Sequence, residues 1–119
     1  GVSGDTSQFK TARVLGSHAG LRVDLSTSAG RDERGKQLYD PYHVGAFEVL
    51  IVAYEEEKEG ENKWHFWRIP ASELEERGYL STPDKRGKTT LYVYGPVGKQ
   101  PDPNARNKAD TWTQKYYQL

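Results

Sequence analysis

The segment FEVLIVAY, residues 47–54, constrains the fold more than any other stretch of the chain. It is almost continuously apolar and rich in β-branched residues, which is typical of a central strand buried on both faces. The charged stretch EEEKEGENK follows, and Gly60 within it suits a turn. WHFWRI, residues 64–69, is then expected to pair back as the next strand. The sequence therefore predicts a sheet that contains this pair of strands.

Three further segments carry strand signals. LRVDLST, residues 21–27, alternates apolar and polar residues, which predicts a half-buried strand. With QFKTARVL, residues 8–15, it flanks a glycine-containing turn, so the two segments are expected to form a hairpin. TTLYVY, residues 89–94, is a strand by composition. Residues 28–46 have charge, Gly and Pro but no sustained period, and we expect a long loop there.

Two helices are predicted. Pro70 suits the first turn of a short helix, PASELEERG, in which Leu74 points inward and Gly78 is the stop. The closing ADTWTQKYYQL would place Trp112, Tyr116 and Leu119 on one stripe of a terminal helix. The expected fold class is α+β, with about five mostly antiparallel strands in a mixed sheet, one short internal helix and one C-terminal helix. Residues 1–7 are expected to be a flexible lead-in, and residues 8–119 a single domain.

Composition narrows the classes of function. The chain has no cysteine, which excludes disulfides, thiolate metal sites and a cysteine nucleophile. Seventeen acidic and seventeen basic residues cancel, so no global field draws the protein to nucleic acid or membrane. No apolar run reaches the roughly 18 residues of a membrane span. These features favour an intracellular protein, cytoplasmic or nuclear, with no membrane partner.

The aromatic run divides by strand parity into two faces. Trp64, Phe66 and Arg68 share one face of the predicted strand, and His65, Trp67 and Ile69 share the other. We expect both faces to be buried in the core. The alternative is that one face is exposed, with a Trp beside Arg68 as a stacking platform for bases.

Basic residues concentrate in the first third of the chain and could form one positive face. They are Lys10, Arg13, Arg22, Arg31, Arg34 and Lys36. Such a face would contact phosphates. Asp24, Asp32 and Glu33 are interleaved with them, so a general charged surface is the alternative interpretation.

The order of motifs resembles the PD-(D/E)XK nuclease superfamily. QFKTA is similar to the Gln-x-Lys variant of that superfamily's third motif, and YDPYHVGAFEVLIVAY followed by WHFWRIPASELEERGYL is similar to the second half of such domains. The resemblance implies that Gln8 stands at a magnesium-side position and that Lys10 is the catalytic lysine. The resemblance also implies a metal-binding Asp on an earlier strand, and among the seven residues before Gln8 only Asp5 is available, which lies too close to Gln8 for that position. Either the sequence begins inside a larger domain, or the chain is a reduced, non-catalytic relative.

The sequence thus predicts a nuclease-like domain that binds DNA or RNA through a basic N-terminal hairpin and lacks complete catalytic machinery and a cofactor. A second hypothesis is a protein-interaction module that uses residues 28–46 and exposed aromatics. A third is an active magnesium-dependent endonuclease whose missing carboxylate comes from Asp24 or Glu48.

Overall fold

Strands dominate the regular structure of the chain. The computed structural model describes residues 6–14, 16, 18–104, 106 and 110–118. The strands are β1 (Ser7–Thr11), β2 (Leu21–Asp24), β3 (Ser26–Arg31), β4 (Gln37–Pro41), β5 (Val49–Lys58), β6 (Glu61–Pro70), β7 (Thr90–Val93) and β8 (Tyr117–Gln118); the helices are α1 (Ala71–Glu76) and a 3₁₀ helix (Trp112–Tyr116).

The largest sheet is built on the β5–β6 hairpin, in the strand order β1-β5-β6-β8. Its two ten-residue strands pair from Val49 with Pro70 to Lys58 with Glu61. Glu59 and Gly60 join them, both with positive φ, as a two-residue hairpin turn of the I′ type requires. β1 runs parallel to β5, and β8 is antiparallel to β6. The predicted central strand, its hairpin partner and the turn at Gly60 are confirmed.

A second pair of strands, β2 and β7, contributes the other wall of the core. Leu21 and Val23 of β2 and Leu91 and Val93 of β7 are fully buried and join one cluster with Trp67 of β6. The buried aromatics and aliphatics therefore lie on the inner face of the large sheet, and α1 closes one end of this core through Leu74.

Hydrogen bonds from two side chains fix the path of the chain after β7. The indole Nε1 of Trp67 donates to the carbonyl of Tyr94 at 2.8 Å. The buried hydroxyl of Thr113 donates to the carbonyl of Tyr92 and accepts from the backbone N–H of Tyr94, both at 3.1 Å. These bonds give hydrogen-bond partners to the C=O of Tyr92 and to the N–H and C=O of Tyr94, so these backbone groups do not need a further strand to pair with.

The α+β prediction is wrong, because the described residues form a mainly β structure in which the only α-helix has six residues. The predicted C-terminal helix is instead a 3₁₀ turn followed by β8. Thr113 is held by its hydrogen bonds to β7, and Tyr117, a good strand former, pairs with Trp67 at the edge of β6. Tertiary contacts therefore prevent the α-helix that the stripe of Trp112, Tyr116 and Leu119 predicts. Leu119 itself lies outside the described residues.

Two other expectations about the N-terminal third are wrong. β1 does not form a hairpin with β2: it pairs with β5, and only an isolated bridge joins Arg13 to Arg22. The region 28–46 is not a loop throughout, because most of β3 and β4 lie in it and form a two-stranded ribbon. Of the predicted lead-in, residues 1–5 lie outside the described residues, and Ser7 already begins β1.

Candidate functional site

Two arginines converge on one carboxylate where β1 ends. Backbone hydrogen bonds of 3.0 and 2.8 Å join Arg13 to Arg22, so the two side chains are cross-strand neighbours. In β2 the buried Leu21 and Val23 alternate with Arg22 and Asp24, which face outward. Asp24 therefore lies two residues from Arg22 on the same face and can accept hydrogen bonds from both guanidinium groups.

The ion pairs leave the arginines partly free. The Nη2 of Arg13 lies 2.9 Å from Oδ2 of Asp24, and the Nε of Arg22 lies 3.1 Å from Oδ1. The Arg13 side chain is 61% exposed and the Asp24 side chain 50%. Two positive charges meet one negative charge, so the cluster carries one net positive charge, and unused N–H donors of Arg13 face solvent. Ion pairs this exposed contribute little to stability.

The cluster lines a pocket of about 290 Å³. Its walls contain Arg13, Arg22, Asp24, Ser26, Tyr39, Thr89 and Thr90. Guanidinium groups bind phosphate or carboxylate oxygens through paired N–H donors, and hydroxyl groups can add further donors. The pocket is therefore chemically suited to an oxyanion.

Lys10 does not line this pocket, and its ammonium group has a structural role. Its Nζ donates to the carbonyl of Ser26 at 3.0 Å and lies 5.2 Å from the ring centroid of Tyr42. Lys10 thus ties β1 to the start of β3. Gln8 shares its side of β1, and both residues are half-buried.

Magnesium does not fit the surroundings of Gln8 and Lys10. Within the described part of the chain, no three His, Asp or Glu side chains are grouped as a metal ion would need. Asp24 is engaged by two arginines, and Glu48 lies instead in a shallow depression with Arg68 and Pro70. Magnesium binds through oxygen ligands, usually carboxylates, and the structure assembles no such set here. No catalytic step through the ion follows from this geometry.

The other three predicted basic residues lie at the far end of the β3–β4 ribbon. Asp32 builds the turn there, since its Oδ1 accepts the backbone N–H groups of Arg34 and Lys36 at 2.9 Å. Arg31 donates to the carbonyl of Gly35 at 2.8 Å. At about 3.3 Å per residue, Arg31 is roughly 16 Å from Ser26 in the pocket wall. The predicted positive face is therefore divided between a pocket and a ribbon tip.

Sequence reasoning missed several pocket residues. Thr90 pairs with Asp24 across β2 and β7, and Tyr39 reaches the pocket from β4. The alternation of TTLYVY could have indicated that Thr90 faces outward opposite the buried Leu91. Nothing local could have indicated Tyr39, because its position depends on how the ribbon meets the body.

One face of the aromatic strand is exposed, so the expectation of core on both faces is wrong. Trp64 is 50% and Phe66 40% exposed, whereas His65 and Trp67 are buried. The rings of Trp64 and Phe66 are 19° from parallel, with centroids 6.2 Å apart. On the buried face, Nδ1 of His65 lies 2.6 Å from the hydroxyl of Tyr117.

Comparisons with known proteins give information on the fold alone. No protein-family model matches the sequence, and no curated protein matches it. The chain is similar to the crystal structure of MepB, with a TM-score of 0.68 and 24% sequence identity. The match covers 98% of this chain and 72% of the MepB chain. No helix in the described ranges is both long and apolar enough to cross a membrane.

Proposed function

We propose that this domain binds nucleic acid and that the pocket between Arg13 and Arg22 holds a backbone phosphate. The observation that carries the proposal is the convergence of two guanidinium groups on one carboxylate, which leaves one net positive charge beside hydroxyl groups. Phosphate contacts from Arg and Lys position a protein on nucleic acid and carry no sequence information by themselves. Binding through this pocket is therefore expected to be salt-dependent and weakly specific.

The β3–β4 ribbon extends the contact. Its strands are exposed on both faces, Arg31 ends β3, and the turn that follows carries Arg34 and Lys36. The ribbon tip and the pocket, roughly 16 Å apart along β3, would contact separate phosphates of one ligand.

The proposed activity is binding without cleavage. The resemblance to PD-(D/E)XK nucleases gives Gln8 and Lys10 catalytic positions, but Lys10 is bonded to the carbonyl of Ser26. We expect no magnesium-dependent nicking of a supercoiled plasmid. Nicking that is lost in both Lys10→Ala and Gln8→Ala would establish instead that the domain is an active endonuclease with Mg²⁺ as cofactor.

The binding proposal is tested by titrating a fluorescent 16-bp duplex and a single strand of the same length between about 50 and 200 mM salt. Arg13→Gln and Arg22→Gln should each weaken binding and lower the slope of log affinity against log salt by about 0.9 on duplex, or 0.7 on a single strand. Lys58→Gln, an equal loss of charge at the β5–β6 turn, should change neither quantity by as much. Arg34→Gln and Lys36→Gln test the ribbon tip in the same way.

The absence of binding to either ligand at the lowest salt would refute the proposal. The alternative is then a protein-interaction module. Exposed apolar side chains in and beside the ribbon favour it: Leu38 and Val44 are each 42% exposed and Tyr39 59%. Aromatic residues are common anchors at protein interfaces.

A further inference from the structure

The outer face of the large sheet carries exposed apolar side chains on β1 and β6, the two strands that flank β5. Along β6, residues of the buried face alternate with Trp64, Phe66 and Arg68, which are exposed. Register places Arg68 beside Ile51 of β5, and Ile51 beside Phe9 of β1. Phe9 is 55% exposed. Three strands thus contribute to one apolar and aromatic surface, which carries the positive charge of Arg68 and the negative charge of Glu55, the exposed residue that pairs with Trp64.

Trp64 and Phe66 place two aromatic rings on this surface. They are two residues apart on one strand, so their side chains project from the same side of the sheet. Their rings are nearly parallel, and Trp64 is 50% and Phe66 40% exposed. Aromatic rings held in this way on a sheet are the means by which several folds stack unpaired bases.

The aromatic surface continues into the phosphate pocket. From Phe9 to Arg13 the chain alternates outward and inward residues, with Phe9, Thr11 and Arg13 exposed and Lys10 and Ala12 more buried. Phe9 and Arg13 therefore lie on one side of the chain, about 13 Å apart at 3.3 Å per residue. If one phosphate of a nucleic acid binds at Arg13, nucleotides a few positions further along the strand can reach the aromatic surface at Phe9.

We propose that this outer sheet face is a stacking platform for the bases of single-stranded nucleic acid. The proposal rests on the proposed function and adds to it the class of ligand. A single strand offers unstacked base faces, whereas the bases of a duplex are already stacked on each other. The positive charges of Arg68 and Arg13 lie beside the platform, where the phosphates between stacked bases would run.

The test measures binding of 12-nucleotide oligothymidylate, 12-nucleotide oligouridylate and a 12-bp DNA duplex to the full chain. Trp64→Leu and Phe66→Leu remove a ring but keep an apolar side chain; Val44→Ala, an exposed apolar residue elsewhere, is the control. Each ring variant should weaken binding of the preferred single strand by about 5- to 140-fold. That range corresponds to one base–aromatic stack of about 1–3 kcal/mol at 1.4 kcal/mol per factor of ten. Duplex affinity and the salt slope should stay unchanged.

The thymidylate and uridylate ligands separate DNA from RNA as the source of the strand. If single strands bind and Arg13→Gln weakens them, but the ring variants bind as well as wild type, the platform is refuted while the phosphate pocket stands. Sedimentation of the free protein gives a further check. Self-association that Trp64→Leu abolishes would mean that a second copy covers the face, which also overturns the inference. Binding of no nucleic acid refutes the proposed function and the platform together.

Discussion

Replacing Thr113 by Val tests how the C-terminal segment stabilises the fold. The substitution preserves the shape of the side chain but removes the hydroxyl that bonds the carbonyl of Tyr92 and the N–H of Tyr94. Tyr92 pairs with Arg22 of β2, and Arg22 uses its own N–H and C=O for Arg13 on the other side of β2. The C=O of Tyr92 and the N–H of Tyr94 are therefore directed away from β2. Because Thr113 is fully buried, a Val side chain at this position would leave the C=O of Tyr92 and the N–H of Tyr94 without this hydrogen-bond partner.

The expected loss follows from these two groups. An unpaired buried donor or acceptor costs about 1–3 kcal/mol, so the loss of both partners in Thr113→Val should lower the free energy of unfolding by about 2–6 kcal/mol. With a urea dependence of about 2 kcal/mol per molar, in the middle of the range for small domains, the midpoint of urea unfolding should fall by about 1–3 M. The slope should not change, because the surface exposed on unfolding is the same.

Thr113→Ser distinguishes the hydroxyl from packing. It keeps both hydrogen bonds and loses one buried methyl group, which costs about 1 kcal/mol. Thr111→Val, at a nearby half-buried threonine, is a control for the effect of the substitution itself. The reasoning would be refuted if the Val variant were as stable as wild type to within about 0.5 kcal/mol, or more stable than the Ser variant.

Three further predictions follow from the pocket, from an ion pair and from a glycine. Asp24→Asn removes the negative charge shared by the two arginines, so the affinity for nucleic acid at low salt should rise in a titration. Arg77 donates a hydrogen bond to Glu73 and holds the pKa of that carboxyl below its ordinary value. The stability that this pair supplies is therefore fully present above pH 4.3 and is lost as pH falls through the folded pKa, so Glu73→Gln should destabilise at neutral pH and converge with wild type in acid unfolding curves. Gly20→Ala should unfold at a lower temperature than wild type, because the added Cβ would lie 2.7 Å from the ring of Tyr94 at a residue with φ of 77°.

Each of these has a matched control. Asp84→Asn removes an exposed carboxylate away from the pocket, and equal gains in affinity from both variants would contradict a local effect. Glu75→Gln lies on α1 without the ion pair, so it should lower stability at neutral pH by less than Glu73→Gln does. Gly45→Ala has the same backbone strain at φ of 92° but nothing within 4 Å of the new atom. An equal loss at both glycines would mean that strain alone, without the Tyr94 contact, explains the result.

The β5–β6 hairpin could be predicted because its signals are local. A run of apolar residues, a charged turn at Gly60 and an aromatic run identify two neighbouring strands without further information. The parallel pairing of β1 with β5 could not be predicted in this way, since Gln8 and Leu50 are far apart in sequence and only the folded core aligns them. The hairpin expected between β1 and β2 failed for that reason.

In the candidate site, too, the features with local sequence signals could be predicted and those that depend on distant segments could not. Arg13 and Arg22 were identified by residue type, but their shared use of Asp24 depends on a bridge between distant segments. Strand parity separated Trp64 from Trp67 correctly. Which of the two faces is covered depends on where β2 and β7 pack, and a pattern of period two carries no information on that.

The short segment from Trp112 to Gln118 covers two strand edges at once. Its 3₁₀ helix lies along the outer edge of β7 through Thr113, and β8 pairs with Phe66 and Trp67 on β6. Open edges of this kind are templates for pairing with another chain. Local detachment of this segment would therefore expose unpaired backbone N–H and C=O groups on β6 and β7 at the same time. We expect aggregation of the protein to begin at these two strand edges, before the core itself unfolds.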